Sequence, residues 1–412
     1  MATDAEKLGK TVVVDYGSDT IKAGRARDVP SENALSCITP SLVELRSPAH
    51  PDAATAPGGA PWPRGEAVRR GRIVDVQRFE SLLHHVLFER MRWRYGREDC
   101  LVIVEPVLTS RSEREAVVQM AFESFNVRGL FVCDAAACAL YACNKQVGLT
   151  VDIGHGKAVV AAVAEGATHV AGAAQLPWAG EELTAYTAQL LARGGGARGA
   201  ATANLPPEQL RALKEQIACA AATAEDFAAI TSGDPVRAAG GEAASAHGAA
   251  DKQQQANIAQ HEEAWRRARR SFTLPDGQTI TLAGDEGYRL GEALVRPTSA
   301  GLAAPTLADA CCDVVAALME APSRRAVWES VLVTGGTGAI PGLRERLMAE
   351  LPLVGPPSAG FALMPLPNYM PPDARKHAAW MGGAVLSRVA MHQMITPNEY
   401  SEFGPAVVGR II

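Results

Sequence analysis

The stretch LTVDIGHGKAVVAAVAEG at 149–166 repeats the plan of TVVVDYGSDTIKAGRA at 11–26. Each copy is an apolar strand, an aspartate (Asp15, Asp152), a turn holding glycine, and a second strand. A strand-Asp-turn-strand unit that occurs twice in one chain implies two related half-molecules. Glycines after a buried strand let backbone N–H groups approach phosphate oxygens with no Cβ in the way. A third such turn, GGTGAI, follows the strand VLVT at 331–334. Three glycine turns, two preceded by aspartate at the same offset, point to a nucleotide between two lobes, with Asp15 and Asp152 toward a hydrated Mg2+. Taken singly, each aspartate reads equally well as a turn cap.

Between and after the two copies, strand and helix alternate. The three- and four-residue spacing of Phe79, Leu82, Leu83, Val86, Leu87 and Met91 predicts an amphipathic helix over 77–94. LVIVEP at 101–106 and LFVC at 130–133 read as strands. A helix marked by Val117, Val118, Ala121, Phe122 and Phe125 lies between them, and DAAACALYAC at 134–143 is a further helix. This alternation gives α/β with some parallel pairing. SFTLPDGQTITLAGDEGYRL at 271–290 has the period and the Asp276–Gly277 turn of a hairpin, and AAWMGGAVLSRVAMHQM at 378–394 is an apolar helix with a glycine pair. Two stretches lose periodicity. The Pro/Ala/Gly-rich segment 41–70 reads as a loop or a small, poorly ordered lobe, and 228–262 as an exposed insertion. Arg266, Arg267, Arg269 and Arg270 follow that insertion and read as a solvated helix face ahead of a nucleic-acid contact.

Composition narrows the function classes. The 412 residues carry a formal net charge of −5, so no global positive field favours nucleic acid or an anionic membrane. The N-terminus MATDAEKLGK lacks an apolar stretch, and no window reaches the ~18 apolar residues of a membrane span. The eight cysteines include no CxxC pair and read as buried thiols in a reducing compartment, so the sequence predicts a soluble intracellular protein. About 74 residues are alanine while aromatics are only 5%, so the 47% hydrophobic fraction overstates the core.

At this point the sequence resembles the actin family, as a divergent actin-related protein. VVVDYGSDTIKAG resembles the family's first phosphate loop, VDIGHG the second, VLVTGGTGAIPGLRERL the adenosine motif and LKEQIACAA at 213–221 the adenine-side helix. LPDGQTITL, RKHAAWMGGAVL and the tail ITPNEYSEFGPAVVGRII match in order. The resemblance implies the actin fold: two duplicated RNase H-like lobes, four subdomains and a nucleotide cleft between. The first lobe is expected at 1–142, with a reduced second subdomain at 41–70. The second lobe spans 143–377 and holds the insertion, and 378–412 returns to the first subdomain. Within the second lobe, 143–178 with 294–377 is the third subdomain and 179–293 the fourth. It also implies ATP or ADP with Mg2+, phosphate contact from the Gly17 and Ser18 backbone, and Lys22 on the phosphates. Gly154 and Gly156 close from the second loop. Lys214, Glu215, Gly335, Gly336, Thr337 and Lys376 line the nucleoside pocket, and Asp15 and Asp152 face the metal.

The departures are informative. Actins position their hydrolytic water with a Gln at the start of the interlobe helix and a His after the second phosphate loop. Those positions are Ala135 and Val159 here, and neither side chain can hold a water or relay its proton. Hydrolysis is therefore expected to be very slow or absent. His155 is the one replacement base in the phosphate loops. Asp19 puts a carboxylate near the phosphates, while His155 and Lys157 either offset it or mark a degenerate site. The shortened 41–70 segment and the insertion argue against a conventional homopolymer. The expected role is a non-catalytic structural or regulatory subunit of a heteromeric protein complex, without membrane or nucleic-acid contact. The expected setting is the cytoplasm and cytoskeleton, in an axonemal or dynein-associated complex. A nuclear chromatin-remodelling complex is the alternative home, and an active filament-forming ATPase the alternative activity.

Overall fold

Both copies of the repeat fold as β-hairpins with the same neighbours. In the computed structural model, β1 (Val12–Tyr16) pairs antiparallel with β2 (Thr20–Arg25), which pairs antiparallel with β3 (Leu35–Pro40). On its other edge β1 pairs parallel with β4 (Cys100–Glu105), and β4 with β5 (Gly129–Asp134), giving the order β3-β2-β1-β4-β5. The second sheet repeats this arrangement. β6 (Gly148–Ile153) pairs antiparallel with β7 (Ala158–Ala164), β7 with β8 (Ala167–Leu176), and β6 parallel with β9 (Val331–Thr334). The duplication legible in 11–26 and 149–166 is thus a duplication of sheet topology.

The structure describes residues 11–26, 35–44, 64–93, 99–193, 205–232, 271–273, 277, 279–282, 284–318, 321–371 and 373–410. They divide into two compact units. The first takes the described residues of 1–176, 313–338 and 359–412, and the second those of 177–312 and 339–358. Both repeat sheets belong to the first unit.

β1, β4 and β7 are buried along their whole length, as expected of strands covered on both faces. The helix Ala135–Ala142, begun by the Asp134 cap, packs against the helix Ala378–Val389 at very short range. A Cβ on Gly382 would lie 1.6 Å from the Cys138 carbonyl oxygen, and one on Gly383 2.4 Å from a Val104 methyl. The glycine pair is therefore what lets the second helix lie on both the alanine-rich helix and β4. Trp380, 1% exposed, fixes this contact further by donating its indole N–H to the Val13 carbonyl at 3.0 Å.

Several expectations change in detail. The amphipathic stretch predicted over 77–94 is an α-helix only at Val76–His84, continues as a wider π turn over His85–Arg90 and stops there. β8 went unanticipated because ATHVAGAAQL is rich in small residues and mostly open to solvent, so no two-residue alternation marks it. The segment 41–70, expected as a loop, is ordered at its described ends: Leu42–Glu44 pairs with Arg64–Glu66, and Val68–Arg69 with Arg72–Ile73. Its residues 45–63 lie outside the described residues. So do 233–262 of the expected insertion, Arg266, Arg267, Arg269, Arg270 and Asp276. Ser271–Thr273 and Thr279–Thr281 do pair as the predicted hairpin. All eight cysteines are free thiols, seven of them buried. Among the described residues no helix is long and apolar enough to cross a membrane.

Candidate nucleotide-phosphate site

The two glycine turns are built alike. The Gly17 N–H donates to the Thr20 carbonyl at 3.1 Å, and the Gly154 N–H to the Lys157 carbonyl at 2.9 Å. Those two amides are spent on the turns, so Gly17 and Gly154 shape the loops rather than offer a donor. The amides of Ser18 and Gly156 make no hydrogen bond among the described residues. They are the donors left for an anion.

The loops also touch. A Cβ on Gly156 would sit 2.8 Å from the Ser18 Oγ and 2.9 Å from its Cβ, so the close approach requires glycine. The Ser18 hydroxyl accepts from the Gly71 N–H at 2.8 Å. The turn carrying Gly71 is held in turn by Glu113, which accepts from the Ile73 N–H and the Arg72 Nε, each at 3.0 Å, while capping the helix Arg111–Gln119. Gly71 and Glu113 were not singled out from the sequence. The capping box Ser110–Glu113 was readable there; its tie to Gly71 was not.

Asp15 stands opposite Lys22 in the β1–β2 register, and the two are paired at 2.8 Å. Burial works against the Lys22 ammonium, but Asp15, Asp152 and Asp19 outweigh it and raise its pKa. Asp152 accepts from the Thr334 hydroxyl at 3.3 Å, and burial raises its pKa against the pull of Lys22 and Lys157. Gly335, at φ +87°, lets the third turn lie against this carboxylate; a Cβ there would be 2.5 Å from the Asp152 Oδ1 and 2.3 Å from the Ile153 carbonyl oxygen. Thr337 donates to the Gly154 carbonyl at 2.8 Å, and Gly336 faces open space. The structure therefore brings Asp15, Gly17, Ser18, Lys22, Asp152, Gly154, Gly156, Gly335, Gly336 and Thr337 together in one unit.

The remaining predicted residues are Lys214 and Glu215 of the second unit and Lys376 of the first, on the turn Ala374–His377 that packs against β9. Lys214, on the helix Pro207–Ile217 of the second unit, is buried and donates to the Gly180 carbonyl at 3.4 Å. Glu215 is exposed and paired with Arg211 at 2.8 Å. The helix is anchored just past its end: Ala220 donates to the Pro341 carbonyl at 2.8 Å, and Gly342, at φ +80°, passes close to the Ala220 carbonyl. Lys376 is half-exposed and pairs with Asp373 at 3.0 Å.

At the two positions where the resemblance puts the side chains of the hydrolytic water, the structure holds Val159 and Ala135. Val159 faces Asp152 in register, is 3% exposed and belongs to the core. Ala135 opens its helix behind Asp134, whose Oδ1 already accepts from the amides of Ala136 and Ala137 and from the Thr168 hydroxyl.

A family model for actin matches residues 7–412. The chain belongs to the actin family. Among curated relatives, Actin-related protein 7 of Arabidopsis thaliana is 30% identical over 403 residues, covering 97% of this chain and 99% of that protein. Actin-related protein 7 of Oryza sativa, in both the indica and japonica subspecies, is 31% identical over 402 residues, covering 97% and 98%. The actin fold read from the motifs is thus the fold of this actin-related protein.

The residues fit a nucleotide's phosphates better than they fit a divalent cation. Glycine turns, two amide donors and two ammonium groups surround the cluster. Of the three carboxylates whose charge acts on Lys22, Asp15, Asp152 and Asp19, the first is already in contact with it.

Proposed function

We propose that this actin-related protein is a structural subunit of a heteromeric protein assembly, which holds ATP or ADP as a structural ligand and turns it over very slowly or not at all. The observation that carries the reading is Val159: a buried aliphatic side chain occupies the position beside Asp152 where the family resemblance puts the histidine of the hydrolytic water. With Ala135 in place of the glutamine, the positioning and proton-relay contributions, about 10²-fold or more, are removed. The glycine turns and Lys22 remain, which supports retained phosphate binding.

The test is single-turnover hydrolysis of ATP by the full chain, alongside the nucleotide content of the purified protein. The expected result is bound nucleotide with no phosphate release above the uncatalysed rate; turnover at the rate of actin overturns the reading. Crosslinking of the native complex identifies the neighbours. The acidic balance favours a cytoskeletal assembly in the cytoplasm, and recovery of chromatin-remodelling subunits instead would place this subunit in the nuclear alternative. Sedimentation with Mg2+ and salt is expected to leave the chain in the supernatant, and long polymers in the pellet count against the subunit role.

A further inference from the structure

Lys157 is the cation of the site that the repeat does not account for. It stands where Thr20 stands in the first copy, since each closes its turn by accepting from the glycine three residues before it. Its side chain crosses Gly71, where a Cβ would be 2.5 Å from the Nζ, and donates to the Val107 carbonyl at 3.2 Å. An ammonium has three donors, and this one bond is to a neutral acceptor. Lys22 is in contact with a carboxylate, whereas Lys157 forms no ion pair among the described residues. Burial lowers its pKa to about 8, with the charge of Asp152 acting in the opposite direction. A positive charge thus lies in buried surroundings against Gly71, whose amide is bonded to Ser18, beside the amide donors of Ser18 and Gly156. A divalent cation brought to Asp152 enters the field of both Lys22 and Lys157, the two groups that already compensate that carboxylate.

We infer that Lys157, rather than a divalent cation, supplies the second positive charge of the phosphate site, so that this chain binds a nucleoside di- or triphosphate whether or not Mg2+ is present. The inference rests on the nucleotide reading above. A phosphate chain arriving at the glycine turns takes the two amides and the Lys22 and Lys157 ammonium groups as donors. Lys157 exchanges one neutral carbonyl acceptor for an anionic phosphate oxygen, which is the stronger acceptor.

Fluorescent ADP and ATP titrated into the full chain in EDTA and in Mg2+ test this. The expected dissociation constants agree within about threefold between the two buffers, and Lys157→Met weakens binding in EDTA by about tenfold or more, with Mg2+ restoring part of the loss. Lys157→Arg keeps the parent behaviour. Lys157→Gln, together with unchanged unfolding midpoints, separates a lost charge from a lost fold. Parent binding that collapses in EDTA overturns the inference and leaves the nucleotide reading standing, as does parent-like binding by Lys157→Met in EDTA. Absence of binding in both buffers overturns the nucleotide reading and this inference with it.

Discussion

Val159 lies opposite Asp152 in the second hairpin, at the register position that Lys22 holds opposite Asp15 in the first. The two halves of the site are therefore one local structure with two chemistries. The first pairs its aspartate with a cation; the second sets its aspartate beside an aliphatic wall. In a duplicated site, the residue seven places after each aspartate faces it whatever its type, because the strand and turn lengths are equal.

This relationship makes the missing chemistry restorable. The double substitution Ala135→Gln and Val159→His puts an amide at the start of the helix and an imidazole beside Asp152. Single-turnover ATP hydrolysis should rise by about 10²-fold over the parent, with the single substitutions giving less than the product of their parts. A double variant no faster than the parent would mean that the site lacks more than these two groups.

The duplication was legible because it rests on short-range rules: β-branched runs form strands, glycine follows them, and the offset to aspartate is the same in both copies. From the sequence Lys157 read as either an offset to Asp19 or the mark of a degenerate site; its reach to the Val107 carbonyl, 50 residues away, depends on the packing of another strand end. The Ser18–Gly71 bond is equally distant, spanning 53 residues. Alanine shows the limit in the opposite direction. DAAACALYAC reads as a helix that has lost its polar groups, yet Ala136, Ala137, Ala139 and Ala142 are buried, and Gly382 passes against the Cys138 carbonyl. Much of that alanine is what allows two helices to approach, a tertiary requirement that composition does not state.

In the second unit, Arg346 is fully buried and donates to Glu292 at 3.0 Å, to Glu350 at 2.9 Å and to the Thr223 carbonyl at 3.1 Å, while Arg296 reaches Glu350 at 2.8 Å. Arg346→Met leaves Glu292 buried without its cation and should cost about 3–5 kcal/mol. Urea unfolding checks the loss, and adding Glu292→Met should recover a large part of it because the stranded charge is then gone. If the double variant is as unstable as the single one, the guanidinium acts through its carbonyl contact rather than through the ion pair.

Acid stability should carry a signature of His377. Its Nδ1 is buried without a hydrogen-bond partner, and burial, then the charges of Lys22 and Lys376, hold its pKa down to about 4 from 6.5. The unfolded chain takes up this proton first, so stability is complete above about pH 6.5 and declines as pH falls toward 4. His377→Gln removes that contribution. Between pH 7 and pH 5 the unfolding midpoint of the variant should fall less than that of the parent, and equal falls would show that the imidazole titrates freely in the folded protein.

The contact between the two phosphate loops can be tested by moving the loops apart and then relieving the clash. Gly156→Ala places a methyl 2.8 Å from the Ser18 Oγ, closer than two such atoms remain without a shift. The loop that must give way carries the Ser18 amide, so nucleotide affinity should fall by about tenfold or more while the unfolding midpoint changes little. Ser18→Gly alone removes the hydroxyl that holds Gly71 and should also weaken binding. Combined with Gly156→Ala, however, it clears the two atoms nearest the new methyl and leaves only the Arg70 backbone nitrogen, at 3.2 Å. The double variant should therefore bind no worse than Gly156→Ala alone, a coupling that independent sites do not show. Additive losses would mean that the loops do not depend on each other for their spacing, and that Ser18 and Gly156 act on the phosphates separately.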